Sequence, residues 1–372
     1  MFSIEKPIIM NEFACVHVLY IVFSELSGGA NVIANEVKRD CAVTTLSTFS
    51  KWKSSILFGL CLILISVAMR ASALSQDSQQ PMQPTMFGAG VISTGDMELN
   101  AAFAPDGRTL YFTKRTPKYQ LWTILVSSLK GDRWSTPRVA EFSGQYGDFD
   151  PFISPDGSQL FFSSNRPAPG KAKNDFDLWV VKKTGAGWST PTNLGADVNT
   201  ESQEYYPSVS NAGTLYFSSN REGGKGSGDI YRSRLLNGKY SKPENLGDEI
   251  NSKFFEGDPY ISPDESFLIF TSYNRPEGLG DGDLYISFNR DGHWTAAKNL
   301  GGPVNSSALD FCPNMSPDGK YFFFTSERGF ADQQLTKPLS YEEFLKQIRS
   351  PGNGLGDIYR IDARAITSVA GK

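Results

Sequence analysis

The sequence is poor in the residues that most often carry chemistry, with four cysteines and two histidines among 372 residues. Cys15, Cys41, Cys61 and His17 all precede residue 75, which leaves Cys312 and His293 alone in the rest of the chain. A disulfide framework is thereby excluded from the body of the chain. So is a zinc site built on several histidines, and a Ser-His-Asp triad would have to run through His293. His293, beside Trp294, reads as a solvent-facing turn residue, and Cys312, before Pro313, as a small buried apolar one. An excess of charge of one sign is also missing. The 36 basic and 40 acidic residues leave a net charge of −4, and no dense run of Lys and Arg builds the basic stripe of a nucleic-acid binder.

Long apolar runs are lacking too. Ile56–Met69 has 14 residues, short of the roughly 20 that span a bilayer. Lys51 and Lys53 precede this run and Ala71-Ser72-Ala73 follows it, so residues 51–73 read as a secretory signal peptide cut after Ala73 rather than kept as an anchor. Cys61 lies behind Phe58-Gly59-Leu60, a poor lipid-attachment site. The expected location is the bacterial periplasm or the medium, with no stable membrane span after cleavage. Residues 1–50 read as an over-extended gene start. The competing reading is a genuine extension with Phe13–Phe23 as a second short apolar stretch. Residues 74–85 are a polar linker and 363–372 a short tail.

What is abundant is turn and aromatic character: 35 Gly, 21 Pro and 13% aromatics. Five turns recur, Ala104-Pro105-Asp106-Gly107, Ser154-Pro155-Asp156-Gly157, Ser210-Asn211-Ala212-Gly213, Ser262-Pro263-Asp264-Glu265 and Ser316-Pro317-Asp318-Gly319, at spacings of 50, 56, 52 and 54 residues. Each is followed by an apolar stretch such as Leu160-Phe161-Phe162-Ser163, then by a third strand such as Asp177-Leu178-Trp179, and a fourth opening on Trp134, Trp188, Tyr240 or Trp294. Four short antiparallel strands per repeat make a propeller blade, whose faces are buried only against neighbouring blades. The fold class is therefore all-β: a five-bladed β-propeller over residues 86–362, with a six-bladed ring as the alternative. The fifth copy stops after its third strand, near Ile361. Thr94 precedes Glu98 as Thr200 precedes Glu204, so Met86–Ile92 takes the register of the missing fourth strand and closes the ring.

The strings acid-x-x-Pro, Ser-Pro-Asp-Gly, Phe-Ser-Ser-Asn-Arg, Gly-Asp-Ile-Tyr and Trp-Ser-x-Pro-x-Asn-Leu-Gly resemble the TolB-like, WD40-like propeller repeat family over residues 86–362. Copies two to four match closely. Copy one lacks Gly-Asp before its third strand, and copy three has Asn211-Ala212 for Pro-Asp. The resemblance implies a bacterial periplasmic or secreted propeller. TolB itself is a six-bladed scaffold for protein partners with an extra N-terminal domain, so its role does not carry over.

Each copy places an acid seven residues before the second turn residue: Glu98, Asp148, Glu204, Glu256 and Asp310. Ten to twelve residues after that position stands an arginine: Arg115, Arg166, Arg221, Arg275 and Arg328. Blade topology puts acids and arginines at one end of the disc, either as a binding ring or as pairs that staple neighbouring loops. A group repeated in every blade serves the fold, whereas a catalytic site needs asymmetry. Asp150 and Asp258 supply such asymmetry, because copies one, three and five lack an acid there. The insert at 331–352 supplies more: Ser340 and Glu343 form a capping box, and Tyr341, Phe344, Leu345 and Ile348 make the apolar stripe of a helix ended by Pro351-Gly352. Lys118, Tyr119, Lys171, Lys173, Tyr205, Tyr206, Phe254 and Phe255 are expected near the same face. No cofactor is expected. The alternative, Ca²⁺ on Asp281-Gly282-Asp283 or Asn174-Asp175-Phe176-Asp177, lacks a full calcium-loop spacing.

The leading reading is a non-enzymatic exported scaffold that binds an envelope or secreted protein, or a glycan, on the face bearing the insert. The alternative is a carbohydrate-active hydrolase or lyase using Asp150 and Asp258 at the channel mouth.

Overall fold

The computed structural model describes residues 82–168, 175–329, 335–367 and 369. The expected extension and leader, Lys171, Lys173 and Asn174 lie outside them. The described chain is a five-bladed β-propeller of small antiparallel sheets, one per repeat.

The second blade shows the unit. Asp148–Ile153 lies innermost, followed outward by Gln159–Ser164 and Asp177–Thr184. The outer strand is broken into Gly187–Trp188 and Thr192–Asn193, both paired with the third. Between the pieces stands Pro191, as Pro137 and Pro243 stand in blades one and three. Proline has no N–H to give a ladder, so an edge is where it fits. The other inner strands are Met97–Phe103, Glu204–Val209, Phe255–Ile261 and Asp310–Met315. Along the second strands burial is continuous: Leu160, Phe161 and Phe162 are each at most 1% exposed. Both faces of a blade are covered, so consecutive side chains are all apolar. The apolar clusters accordingly cross blade boundaries, with Tyr111 and Phe142 packed beside Phe162 and Trp179, and Tyr216 and Ile230 beside Ile261, Phe270 and Tyr285.

The ring closes at the expected seam. Met86 pairs opposite Tyr359 and Thr85 opposite Arg360, and the Phe87 amide donates to Ile358 O at 2.8 Å. The pairing is shorter than Met86–Ile92. At Gly88, with φ +60°, the chain turns and the Ile92 amide donates back to Gly88 O at 2.8 Å. The seam is held instead by Phe87, set edge-on to Phe103, Trp134 and Phe323 with centroids 5.9, 5.7 and 5.1 Å away.

Closure by a foreign strand leaves one hydrogen bond unmade. Asp177, Asp229 and Asp283 each accept an amide from the outer strand, Asn193, Asn245 and Asn299 at 2.8, 2.7 and 2.8 Å. In blade five that place belongs to Met86. Asp357 keeps only the Gly352 amide at 2.6 Å, on Oδ2, the oxygen that in blades three and four also takes the asparagine amide. Burial first, and the charge of Glu98 second, push its carboxyl up to about 7. The folded chain thus holds the Asp357 proton more tightly than the unfolded chain does, and stability declines as pH rises from about 4 through about 7. Met86→Asn supplies the missing donor to the carboxylate. It is expected to raise the melting temperature by a few degrees at pH 8 and by less at pH 4. Equal shifts at both pH values, read by thermal melts, would refute this account.

The insert forms the expected helix, Tyr341–Ile348, with the Ser340–Glu343 capping box in place. Its apolar stripe faces solvent: Tyr341, Phe344 and Ile348 are 73%, 47% and 44% exposed. The segment after it is docked, because Asn353 Nδ2 donates to Gly95 O at 3.0 Å and a Cβ on Gly95 would lie 2.3 Å from Arg349 O. No helix among the described residues is long and apolar enough to cross a membrane.

Candidate functional site

The repeat acids and arginines are occupied by the fold. Arg166, Arg221, Arg275 and Arg328 reach Asp148, Glu204, Glu256 and Asp310 at 2.6, 3.0, 2.9 and 2.7 Å, and all four acids are 0% exposed. A Ser or Thr beside each acid adds a hydrogen bond, such as Thr200 Oγ1 to Glu204 at 2.7 Å. Arginine also ties the pair to the preceding blade, as Arg221 Nη2 does at Val198 O, 2.7 Å away. In blade one Lys114, not Arg115, takes this role, 3.1 Å from the buried Glu98. Glu98 and Glu204 are pushed above the usual carboxylate range by burial, which their partners offset in part.

Two residues beyond each acid the inner strand carries a bulge, where the register slips against the second strand. The extra residues Asn100, Asp150, Tyr206, Asp258 and Cys312 all have φ between 50° and 53°. Asn and Asp enter this region readily; Tyr206 and Cys312 do so at a cost of about 1 kcal/mol each. A hydroxyl of the preceding blade holds most of them. Thr325 accepts the Asn100 amide, Thr113 that of Asp150, Ser163 that of Tyr206 and Ser218 that of Asp258, at 3.1, 3.1, 3.3 and 3.0 Å. The fifth junction departs from the scheme. Thr271 donates to Asp258 Oδ2 at 2.9 Å, and the Cys312 amide approaches the same oxygen at 3.4 Å.

These bulges aim side chains of four kinds at the axis, with aspartate twice. Tyr206, fully buried, crosses it: from blade three its hydroxyl donates to Pro313 O of blade five at 2.9 Å and lies 3.3 Å from Asn100 Oδ1 of blade one. Asp150 and Asp258 flank Tyr206 in the ring. Among the described residues neither makes an ion pair, unlike the repeat acids. Burial, reinforced by the Asp258 charge, pushes Asp150 well above the carboxylate range, and burial pushes Asp258 up to about 6. Tyr205, partly buried, feels both carboxylates, and its phenol is pushed up to about 12, mainly by burial.

A second set of unlike residues lies where the repeat reads Phe-Ser-Ser-Asn-Arg. Asn165 and Asn220 turn back to accept the Gly147 and Gln203 amides, each at 2.9 Å. At the matching position blades four, five and one carry Tyr273, Glu327 and Arg115. Arg115 opposes the rise of the axial Asp150 and of Glu327 in its own set, and the Asp258 charge adds to the rise of Tyr273, which burial dominates. Glu327, half-buried, is itself raised by burial. Sequence reasoning missed Glu327 and Tyr273, although their departure from asparagine was visible in the repeats.

The other expected residues divide between the site and the surface. Lys118 is exposed, Tyr119 covers Arg115, and Phe255 packs on Tyr273 at 5.1 Å. Phe344 lies on the exposed helix. Asp283, offered for Ca²⁺, accepts from the Leu279 amide and from Asn299, at 2.5 and 2.8 Å.

No protein-family model and no curated protein matches the chain. Solved structures similar to it include an α-L-arabinofuranosidase from Podospora anserina in complex with cellotriose, 10% identical over 75% of this chain and 93% of that one, TM-score 0.41. Another is the catalytic domain of an α-L-arabinofuranosidase from Coprinopsis cinerea, 9% identical over 76% and 96%, TM-score 0.42. A third is a puromycin-hydrolyzing peptidase from Mycobacterium tuberculosis, 12% identical with a TM-score of 0.37; the chain spans 41% of its length.

Proposed function

We propose that the protein is an exported glycan-cleaving hydrolase whose acids are Asp150 and Asp258, with Glu327 as a third carboxyl nearby. One observation carries this reading: two carboxylates on the axial bulges lie within each other's field without an ion-pair partner among the described residues, at a position where the repeat itself needs no acid. Leaving such a pair buried costs stability that the fold does not require. Asp150, held protonated, gives its proton to the leaving glycosidic oxygen. Asp258, ionised above about pH 6, is the opposing carboxylate, as base on water or as nucleophile. Hydrolysis is preferred to elimination because Tyr205 and Tyr273 hold their protons too tightly to serve as bases for a carbon-bound proton.

The test is release of reducing ends from a panel of polysaccharides across pH. Activity on a cleaved substrate is expected to rise through about pH 6 as Asp258 ionises, and to fall where Asp150 loses its proton. A flat profile between pH 5 and 7, roughly the span over which Asp258 changes charge, would remove the assignment. The exposed apolar stripe of the insert helix favours a second reading, a scaffold docking a partner there. Glycan or protein binding without cleavage of any panel member would select it.

A further inference from the structure

Arg115 is placed unlike every other repeat arginine. It is 8% exposed, yet among the described residues no carboxylate lies within ion-pair distance of it. Its Nη1 donates to Thr116 O and Pro117 O at 3.2 and 3.3 Å, its Nε is buried without a partner, and its guanidinium lies 4.0 Å from the Tyr119 ring centroid and 5.1 Å from that of Trp122. Two carbonyls and two rings thus fix the orientation of a cation whose field reaches Asp150 and Glu327. A buried cation is stable only with a counter-charge, and none lies within ion-pair distance of this guanidinium among the described residues. A guanidinium matches a planar carboxylate with two parallel hydrogen bonds.

We infer that the axial site selects an acidic glycan, and that Arg115 receives the carboxylate of a uronic acid residue of the substrate. This deepens the hydrolase reading and rests on it.

The test compares two forms of one oligogalacturonide, the free acid and the fully methyl-esterified, by titration calorimetry against the Asp258→Asn protein, so that the ligand is not consumed. The free acid is expected to bind about tenfold or more tightly, the effect of one charge-assisted contact. Arg115→Gln should erase that preference while leaving the affinity for the ester unchanged. Arg115→Lys, which keeps charge and loses the fork, should retain part of it. Equal affinity for the two forms, or a preference that survives Arg115→Gln in a protein of unchanged melting temperature, overturns the inference. Cleavage of neutral glycans with no preference for acid leaves the hydrolase reading standing without it. Failure to bind or cleave any glycan overturns both.

Discussion

Asp258→Asn is expected to lower kcat on a cleaved glycan by about 10²–10⁴-fold, the usual contribution of a proton-transfer or nucleophilic carboxylate, and to make the protein more stable. The two halves of this expectation come from one geometry. Asp258 Oδ2 accepts from Thr271 and faces the Cys312 amide, contacts that an amide oxygen reproduces, so the bulge keeps its shape. What disappears is a charge that burial disfavours and that adds to the rise of Asp150. Because the folded-state pKa is raised, the wild-type residue weakens the fold increasingly as pH climbs through about 6. The variant should therefore gain a few degrees in melting temperature at pH 8 and nothing at pH 4. An acid whose ion pair staples the fold would instead lose stability on the same change, through its broken pair. A drop in melting temperature at pH 8 with activity intact would show that Asp258 is structural.

Arg221→Ala is expected to cost about 3–5 kcal/mol, the usual effect of leaving one member of a buried ion pair alone, or roughly 10 °C in melting temperature for a domain of this size. The variant loses the 3.0 Å contact to Glu204 together with the bonds to Ser219 and to Val198 O. Glu204 remains fully buried with Thr200 and Ser219 as partners. It is already raised by burial in the presence of the arginine, and without it the carboxyl takes up a proton sooner. The loss should thus be largest at pH 8 and shrink toward pH 5, measured by thermal melts on both proteins. A loss under about 1 kcal/mol, as at exposed pairs, would mean that the repeat arginines are ornaments of the surface and not staples.

What was legible in the sequence is what recurs. The turns fix the blade number, the apolar stretches behind them fix the second strands, and the truncated fifth copy fixes the seam. Asp150 and Asp258 were legible for the converse reason, as breaks in a recurring pattern. Other features were hidden by single-residue slips. Arg115, counted from its turn, looks like the repeat arginine, but its backbone place is that of Asn165, and Lys114 carries the ion pair. In blade four the one extra residue, Asn274 at φ +62°, obscures the match of Tyr273 to the same column. The crossing of the axis by Tyr206 was not legible at all, since the inner-strand bulge rotates that side chain away from the face that simple alternation assigns.

The seam also dictates an order of events. Met86 is made early, and its partner Tyr359 is translated some 270 residues later, so the ring cannot be latched while the chain is still emerging. Until then the last blade has a bare edge, and the aromatic plug at Phe87 has no socket. Such an edge invites pairing between molecules, and contacts this distant in sequence form slowly. A polypeptide latched in this way is best delivered unlatched and allowed to shut only after its far end has arrived.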